Sequence, residues 1–257
     1  MQKTVLITGA TSGFGKAFAE KFAANGCRLI LTGRRQERLD EIKKHLIDTY
    51  KTEVHTSCFD VQDRAATFKA IGDLPGNWQA IDILINNAGL ALGRDFVDEA
   101  SLDDWEIMID TNLKGLMYVT KAVLPFMTER KKGHIINIGS TAAKEVYEKG
   151  NAYCATKHAV DAISQALRID LLRHGIKVTA IHPGAAQTEF SVVRFKGDDR
   201  LANQVYEGFQ PLVAEDVAEV VYYTTTLPPH VCINDLVLTC TAQANSLYIN
   251  KDVFKHL

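Results

Sequence analysis

Tyr153 and Lys157, four residues apart, close the stretch GSTAAKEVYEKGNAYCATK that begins at Gly139. If this stretch leaves a strand and enters a helix, positions i and i+4 share one face and bring an ammonium beside a phenol. A phenol of ordinary pKa ~10 is a poor base at neutral pH, but a neighbouring cation favours the phenolate and lowers that pKa. Tyr153 could then exchange a proton with an alcohol or carbonyl while Ser140 offers a hydroxyl to the same oxygen. The constellation is an acid/base site in need of a redox partner. By itself Y-x-x-x-K is weak, since a Tyr and a Lys at helical spacing usually mean a half-buried ring and a solvated amine.

The elements that must position these groups supply the partner. Thr4-Val5-Leu6-Ile7 reads as a buried parallel strand, and a helical pattern runs from Phe14 through Phe22. Between them lies Gly9-Ala10-Thr11-Ser12-Gly13-Phe14-Gly15. Its glycines permit a tight turn and let backbone N–H groups approach a pyrophosphate at the helix N-terminus. The first strand-to-helix junction is where open parallel sheets bind dinucleotides. The second strand, Cys27 to Thr32, ends in Gly33-Arg34-Arg35, where an NAD-selective site usually places a carboxylate. Two guanidiniums there suit a 2′-phosphate, so NADP is expected; the bland alternative is a pair of surface arginines at a helix start. A third strand, Glu53 to Phe59, ends in Asp60-Val61, with Asp60 either accepting from an adenine amino group beside Val61 or capping the next helix.

The fourth strand, Ile81 to Ile85, closes on Asn86-Asn87-Ala88-Gly89, small residues that let backbone lie against a ribose. A long helix from about Asp103 to Arg130 carries Asn112, and His134 to Ile138 is the fifth strand, which delivers Ser140. The helix of Tyr153 continues to about His174 and stops at Gly175. Ile176 to Ile181 and Asp235 to Cys240 complete about seven strands, alternating with helices as in a doubly wound α/β Rossmann fold with helices on both faces. At 257 residues with 46% apolar content, one dinucleotide-binding and catalytic domain over residues 1–257 is expected.

Composition removes other classes. A net charge of −2 argues against a nucleic-acid or anionic-membrane binder. Cys27, Cys58, Cys154, Cys232 and Cys240 are odd in number with no C-x-x-C pair, which suggests reduced thiols in a cytoplasmic protein and neither a disulfide frame nor a metal site. No apolar run approaches the ~18 residues of a membrane span, and no signal peptide is expected.

Taken together, the chain resembles the short-chain dehydrogenases/reductases over essentially its whole length. TGATSGFG matches their cofactor glycine motif, NNAG their fourth-strand motif and YCATK their Y-x-x-x-K, with Ser140 placed 13 residues before the tyrosine. The resemblance implies a tetrad: Tyr153 as acid/base, Lys157 lowering its pKa and binding the nicotinamide ribose, Ser140 holding the substrate oxygen, and Asn112 supporting a water relay. It implies NADP contacts from Gly9, Thr11, Ser12, Gly13, Phe14, Gly15, Arg34, Arg35, Asp60, Val61, Asn87, Ala88 and Gly89. It adds Pro183, Gly184 and Thr188 near the carboxamide, and a homotetramer.

Residues 190–212 follow the sixth strand, where this fold places a lid over its ligand. Arg194 in that lid could clamp a carboxylate or similar anion, or point to water. TEFSVVRFKGDD and PPHVCINDLVL also resemble the NADP-dependent 3-hydroxy acid (serine) dehydrogenases, which tilts the expectation to a small polar or acidic alcohol substrate. Lys144, Glu145, Glu148 and Lys149 depart from the smaller or aromatic residues expected along the pocket. They are either solvated loop charges or, in the case of Glu145, a group facing the substrate. A non-catalytic cofactor sensor of the same fold, or a reductase of a different carbonyl such as a semialdehyde or ketone, is the alternative.

Overall fold

In the computed structural model, which describes residues 2–251, seven strands form one sheet. They are β1 (Thr4–Ile7), β2 (Arg28–Gly33), β3 (Val54–Cys58), β4 (Ile83–Asn86), β5 (Gly133–Ile138), β6 (Ile176–Pro183) and β7 (Asp235–Leu238). All neighbours pair parallel in the order β3-β2-β1-β4-β5-β6-β7. Residues 1 and 252–257 of the expected domain lie outside the described residues. The helices are α1 (Gly13–Ala24), α2 (Gln36–Tyr50), α3 (Arg64–Gly72), α4 (Leu102–Ile109), α5 (Leu116–Arg130), α6 (Asn151–Asp170), α7 (Glu189–Arg194), α8 (Asp199–Gln204) and α9 (Ala214–Thr226).

The side-chain period of two explains how one short strand serves two layers. In β1, Val5 and Ile7 face a cluster with Phe18 and Phe22, while Leu6 faces the opposite one with Val123 and Met127. Fully burying one such side chain contributes about 1.5–3 kcal/mol. A sheet covered on both faces therefore needs strands that are apolar throughout, and β1 and β4 are buried at every position. Strand order reverses between β1 and β4, which opens the crevice where a doubly wound sheet binds ligands. The glycine turn lies on one side of it and Asn87-Ala88-Gly89 on the other.

Two expected helices are subdivided. The one carrying Asn112 is α4 joined to α5 through a π-helical turn, Asp110–Gly115, a feature that often marks a functional position. The one carrying Tyr153 ends at Asp170, and a short 3₁₀ turn then reaches Gly175, whose φ of +65° supplies the left-handed stop. No helix among the described residues is long and apolar enough to cross a membrane. All five cysteines are unpaired.

His134 on β5 is 7% exposed, and its Nε2 lies 2.7 Å from Thr179 Oγ1. The Thr179 hydroxyl donates its proton to the Ile233 carbonyl, so Nε2 donates to Thr179. Burial, followed by the cations Lys177 and Lys3, pushes its pKa down to about 4 from 6.5. The unfolded chain therefore takes up a proton between those values that the folded chain refuses, and stability falls as the pH drops through that window. The expected loss is about 3 kcal/mol for this one group at 1.36 kcal/mol per pKa unit. Urea titrations at pH 6.5 and pH 4 check this; His134→Gln, which keeps a donor toward Thr179, should flatten the decline, and an unchanged slope refutes the assignment.

Candidate active site

The groove at the strand ends begins at the glycine turn. Gly9 and Gly13 hold positive φ (+64° and +49°), and a side chain at Gly15 would place its Cβ 2.1 Å from the Gly9 carbonyl. The turn and α1 therefore close onto each other as only glycine allows. On the far wall, Thr8 Oγ1 accepts from the amides of Asn87 (3.0 Å) and Ala88 (2.9 Å), while Asn87 Nδ2 donates to the carbonyls of Thr8 and Gly9. Two loops that a bound dinucleotide would contact are thus fastened to one another by backbone polar groups. Arg35 reaches the turn, donating to Thr11 Oγ1 at 3.0 Å and Ser12 Oγ at 3.4 Å. Arg34 stays mostly exposed, 3.7 Å from Asp60.

Asp60 does not cap a helix. Its carboxylate accepts from the Gln62 amide, and Asp63 caps α3 through the Ala66 amide, so that alternative is set aside by the five-residue connection 59–63 between strand and helix. Val61 is buried against the π turn, where a Cβ on Gly115 would meet it at 2.7 Å. Phe14 opens α1 beside Phe18. Beyond Pro183, the Gly184 amide donates to the Leu238 carbonyl, and Thr188 caps α7 while facing Gly13 across 3.5 Å of space for a Cβ. Glycine turn, β4 end, Arg34-Arg35, Asp60-Val61 and the Pro183–Thr188 segment thus line one continuous edge of the sheet. They form a cradle that fits a phosphorylated dinucleotide, with the glycines leaving room for the pyrophosphate and the arginines beside the turn.

At the end of β5, Ser140 takes extended backbone and its Oγ accepts from the Ala142 amide at 3.1 Å. Its hydroxyl hydrogen is left for Tyr153, the hydrogen bond that favours the phenolate. Lys157 is 7% exposed and donates to the Ile138 carbonyl at 3.0 Å, with Nζ 5.9 Å from the Tyr153 ring centroid. A Cβ at Gly89 opposite would come within 3.2 Å of Asn112 Oδ1 and 3.6 Å of this amine.

Burial raises the Tyr153 pKa, reinforced by the nearby Tyr147, while the Ser140 hydrogen bond and Arg194 oppose the rise. Burial also pushes the lysine itself down to about 8. Desolvation acts on both members of the pair and works against the charged form of each.

Asn112 is a clamp. Its Oδ1 accepts from the Leu90 amide at 2.8 Å, and its Nδ2 donates to the Leu90 carbonyl at 2.8 Å and to Thr156 Oγ1 at 3.1 Å. Both amide hydrogens are committed, so the side chain has no donor left for a water relay. It ties the loop after β4 to α6, one residue from Lys157.

Arg194 turns inward. Its Nε donates to the Gly93 carbonyl at 3.2 Å, Nη1 donates to Tyr147 Oη at 3.1 Å, and the guanidinium lies 5.6 Å from the Tyr153 ring centroid. Phe190 packs on the Tyr153 ring, centroids 5.6 Å apart. Tyr147 and Gly93 were not singled out in the sequence, because nothing about a tyrosine or glycine in a loop announces a neighbour over forty residues away. The charged loop settles elsewhere. Glu145 accepts from the Ser246 amide, Lys144 bridges Asp161 and Asp235, and Lys149 lies over Phe96, so Glu145 does not face the pocket. Glu148 is exposed.

The family model described as short chain dehydrogenase matches residues 3–198. The chain is 50% identical over 241 residues to an NADP-dependent 3-hydroxy acid dehydrogenase, YdfG, of Salmonella typhi, covering 93% of this chain and 96% of that protein. It is 46% identical over 249 residues to sulfoacetaldehyde reductase 2 of Chromohalobacter salexigens, covering 96% and 98%. Among solved structures, the closed form of serine dehydrogenase complexed with NADP+ aligns with a TM-score of 0.90 at 50% identity, covering 95% of this chain and 97% of that one.

Replacing Asn112 by Ala would leave the buried Leu90 amide and carbonyl unpaired, at about 1–3 kcal/mol for each group. Asn112→Ala should therefore lose roughly 2–6 kcal/mol in denaturant unfolding, and an unaltered midpoint would show that the clamp contributes nothing.

Proposed function

The chain belongs to the short-chain dehydrogenase family, and from that membership we propose that it is an NADP-dependent oxidoreductase that interconverts a small 3-hydroxy acid, or a serine-like amino acid, and its carbonyl counterpart. NADP, when bound, supplies or accepts the hydride. The chain provides placement and the proton. Ser140 and Tyr153 address the substrate oxygen together, and Tyr153 gives a proton to the developing alkoxide in reduction or withdraws one in oxidation. Burial keeps the phenol protonated, which suits the reductive direction; withdrawing a proton from an alcohol requires the charged groups around the ring to lower its pKa. Lys157 holds the ribose, and the lid over residues 190–212 excludes water from the pocket.

The observation that carries the substrate assignment is Arg194, whose planar guanidinium fork lies 5.6 Å from the Tyr153 ring centroid. An acid bearing its carboxylate there would put its hydroxyl carbon near Ser140 and Tyr153. A sulfonate suits the same fork, so a small sulfonated aldehyde is the second reading, favoured by the sulfoacetaldehyde reductase of 46% identity. Residues 1–257 serve as one cofactor-binding and catalytic unit in the cytoplasm. Assembly as a homotetramer is supported by an apolar cleft between α5 and α6, lined by Leu116, Met117, Leu124, Ile163 and Leu167.

Two measurements test these roles. Arg34→Ala with Arg35→Ala should weaken NADPH binding about 10- to 100-fold while leaving NADH within about 2-fold, as expected for losing charge-assisted bonds to a 2′-phosphate; equal effects on both cofactors refute that contact. Arg194→Ala should cut kcat/KM about 10- to 100-fold for 3-hydroxy acids and serine but far less for neutral alcohols of the same size. A penalty equal for both would remove the anion clamp and with it the preference for acids.

A further inference from the structure

We infer that His182 is a positioning residue for Ser140: its imidazole donates Nδ1–H to the Ser140 carbonyl and fixes the backbone from which the Ser140 hydroxyl reaches Tyr153. The inference rests on the roles assigned above to Ser140 and Tyr153. His182 lies on β6, fully buried, with Nδ1 3.2 Å from the Ser140 carbonyl oxygen. A carbonyl can only accept, so Nδ1 carries a proton in either charge state of the ring. The seat is cut to the ring: a Cβ at Gly139 would fall 2.3 Å from Nδ1 and 2.7 Å from Cε1. Any larger residue at 139 would drive the imidazole off the peptide it supports.

The other edge of the ring faces two carboxylates without a hydrogen bond of its own. Nε2 lies 2.9 Å from Asp235 Oδ1 at the start of β7 and 3.6 Å from Asp161 Oδ1 on α6. Lys144, from the loop after β5, bridges the remaining oxygens of both carboxylates, at 2.9 Å to Asp161 and 2.5 Å to Asp235. Two carboxylates and an imidazole in one place invite a metal ion, but the Lys144 ammonium already supplies the cation between them. Asp161 is one turn beyond Lys157 on the helix of Tyr153. The cluster therefore locks β6, β7, α6 and the β5 end in one registry and sets Ser140 relative to Tyr153. A misplacement of about 1 Å at such a pair can cost on the order of 100-fold in rate.

The test compares two amides. Asn at 182 can hold its NH₂ near the place of Nδ1, whereas Gln carries it one methylene too far. His182→Gln should lower kcat at least about 10-fold with NADP(H) affinity within about 2-fold, and His182→Asn should stay within about 3-fold of the parent. In a Ser140→Ala background the Gln change should cost almost nothing further, because its effect passes through Ser140. Equal losses for Asn and Gln, or an undiminished Gln effect without Ser140, overturn the inference. In the unsubstituted protein, ¹⁵N spectra of the histidines should show Nδ1 of His182 protonated, and a ring protonated at Nε2 alone overturns it independently of any variant's folding. Tyr153→Phe separates the two readings: if it remains active, the catalytic roles themselves are wrong, whereas an inactive Tyr153→Phe beside a fully active His182→Gln rejects the role of His182 alone.

Discussion

Desolvation at the first half of α6 is the condition under which everything else in the site operates. Tyr153 and Lys157 are each less than a tenth exposed, and removing a phenol and an ammonium from water opposes the charged form of both. In that setting the phenol is held protonated, while the lysine, brought down to about 8, still carries its charge at neutral pH. The local groups that act on the pair are few: the Ser140 hydroxyl, the Arg194 guanidinium and the Ile138 carbonyl on the lysine. The same dryness strengthens each of those contacts, since a hydrogen bond or charge acts more strongly where water does not compete.

Keeping such a site dry and still ordered requires its polar walls to satisfy one another. The sheet does this with amides and hydroxyls placed where strands end. Asn86 on β4 donates to Asn137 on β5 and to Thr120, and Asn137 donates in turn to Ser164 on α6. Thr8 receives the two amides after β4, and Asn112 takes both polar groups of Leu90. Each link joins segments far apart in sequence, and together they pin the strand ends. Leaving one partner of such a link unpaired costs more than the bond itself contributes.

This division explains what was legible in the sequence. Strands, helices and their alternation were readable because burial on both faces demands continuous apolar runs such as Val5-Leu6-Ile7 and Ile83-Leu84-Ile85, bounded by glycine and asparagine. The cofactor turn and the Tyr153, Lys157 and Ser140 set were readable because their chemistry needs fixed spacing within short segments. Other features depend on contacts between distant segments. The closing of Arg194 onto Tyr147 and Gly93, the occupation of Asn112 by Leu90, and the diversion of Lys144 and Glu145 away from the pocket follow from loop paths that carry no periodicity. Asp60 illustrates the boundary: spacing alone left it between an adenine contact and a helix cap, and the cap fell to Asp63 because α3 begins at Arg64.

The proposed lid draws on α7, an element that is not self-sufficient. At six residues α7 is too short to hold together by its own hydrogen bonds. Its position is therefore set by what it touches: the Thr188 cap, Phe190 on Tyr153, Ser191 donating to Tyr206 as that tyrosine donates to the Ala186 carbonyl, and Arg194 on Gly93 and Tyr147. Two of these four, Phe190 and Arg194, lie 5.6 Å from the Tyr153 ring centroid. An anion arriving at Arg194 would exchange neutral acceptors for a charged one, strengthening the contact that holds α7 down. A substrate of the right charge would thus contribute to closing its own pocket, and one without charge would leave the lid to the weaker contacts alone.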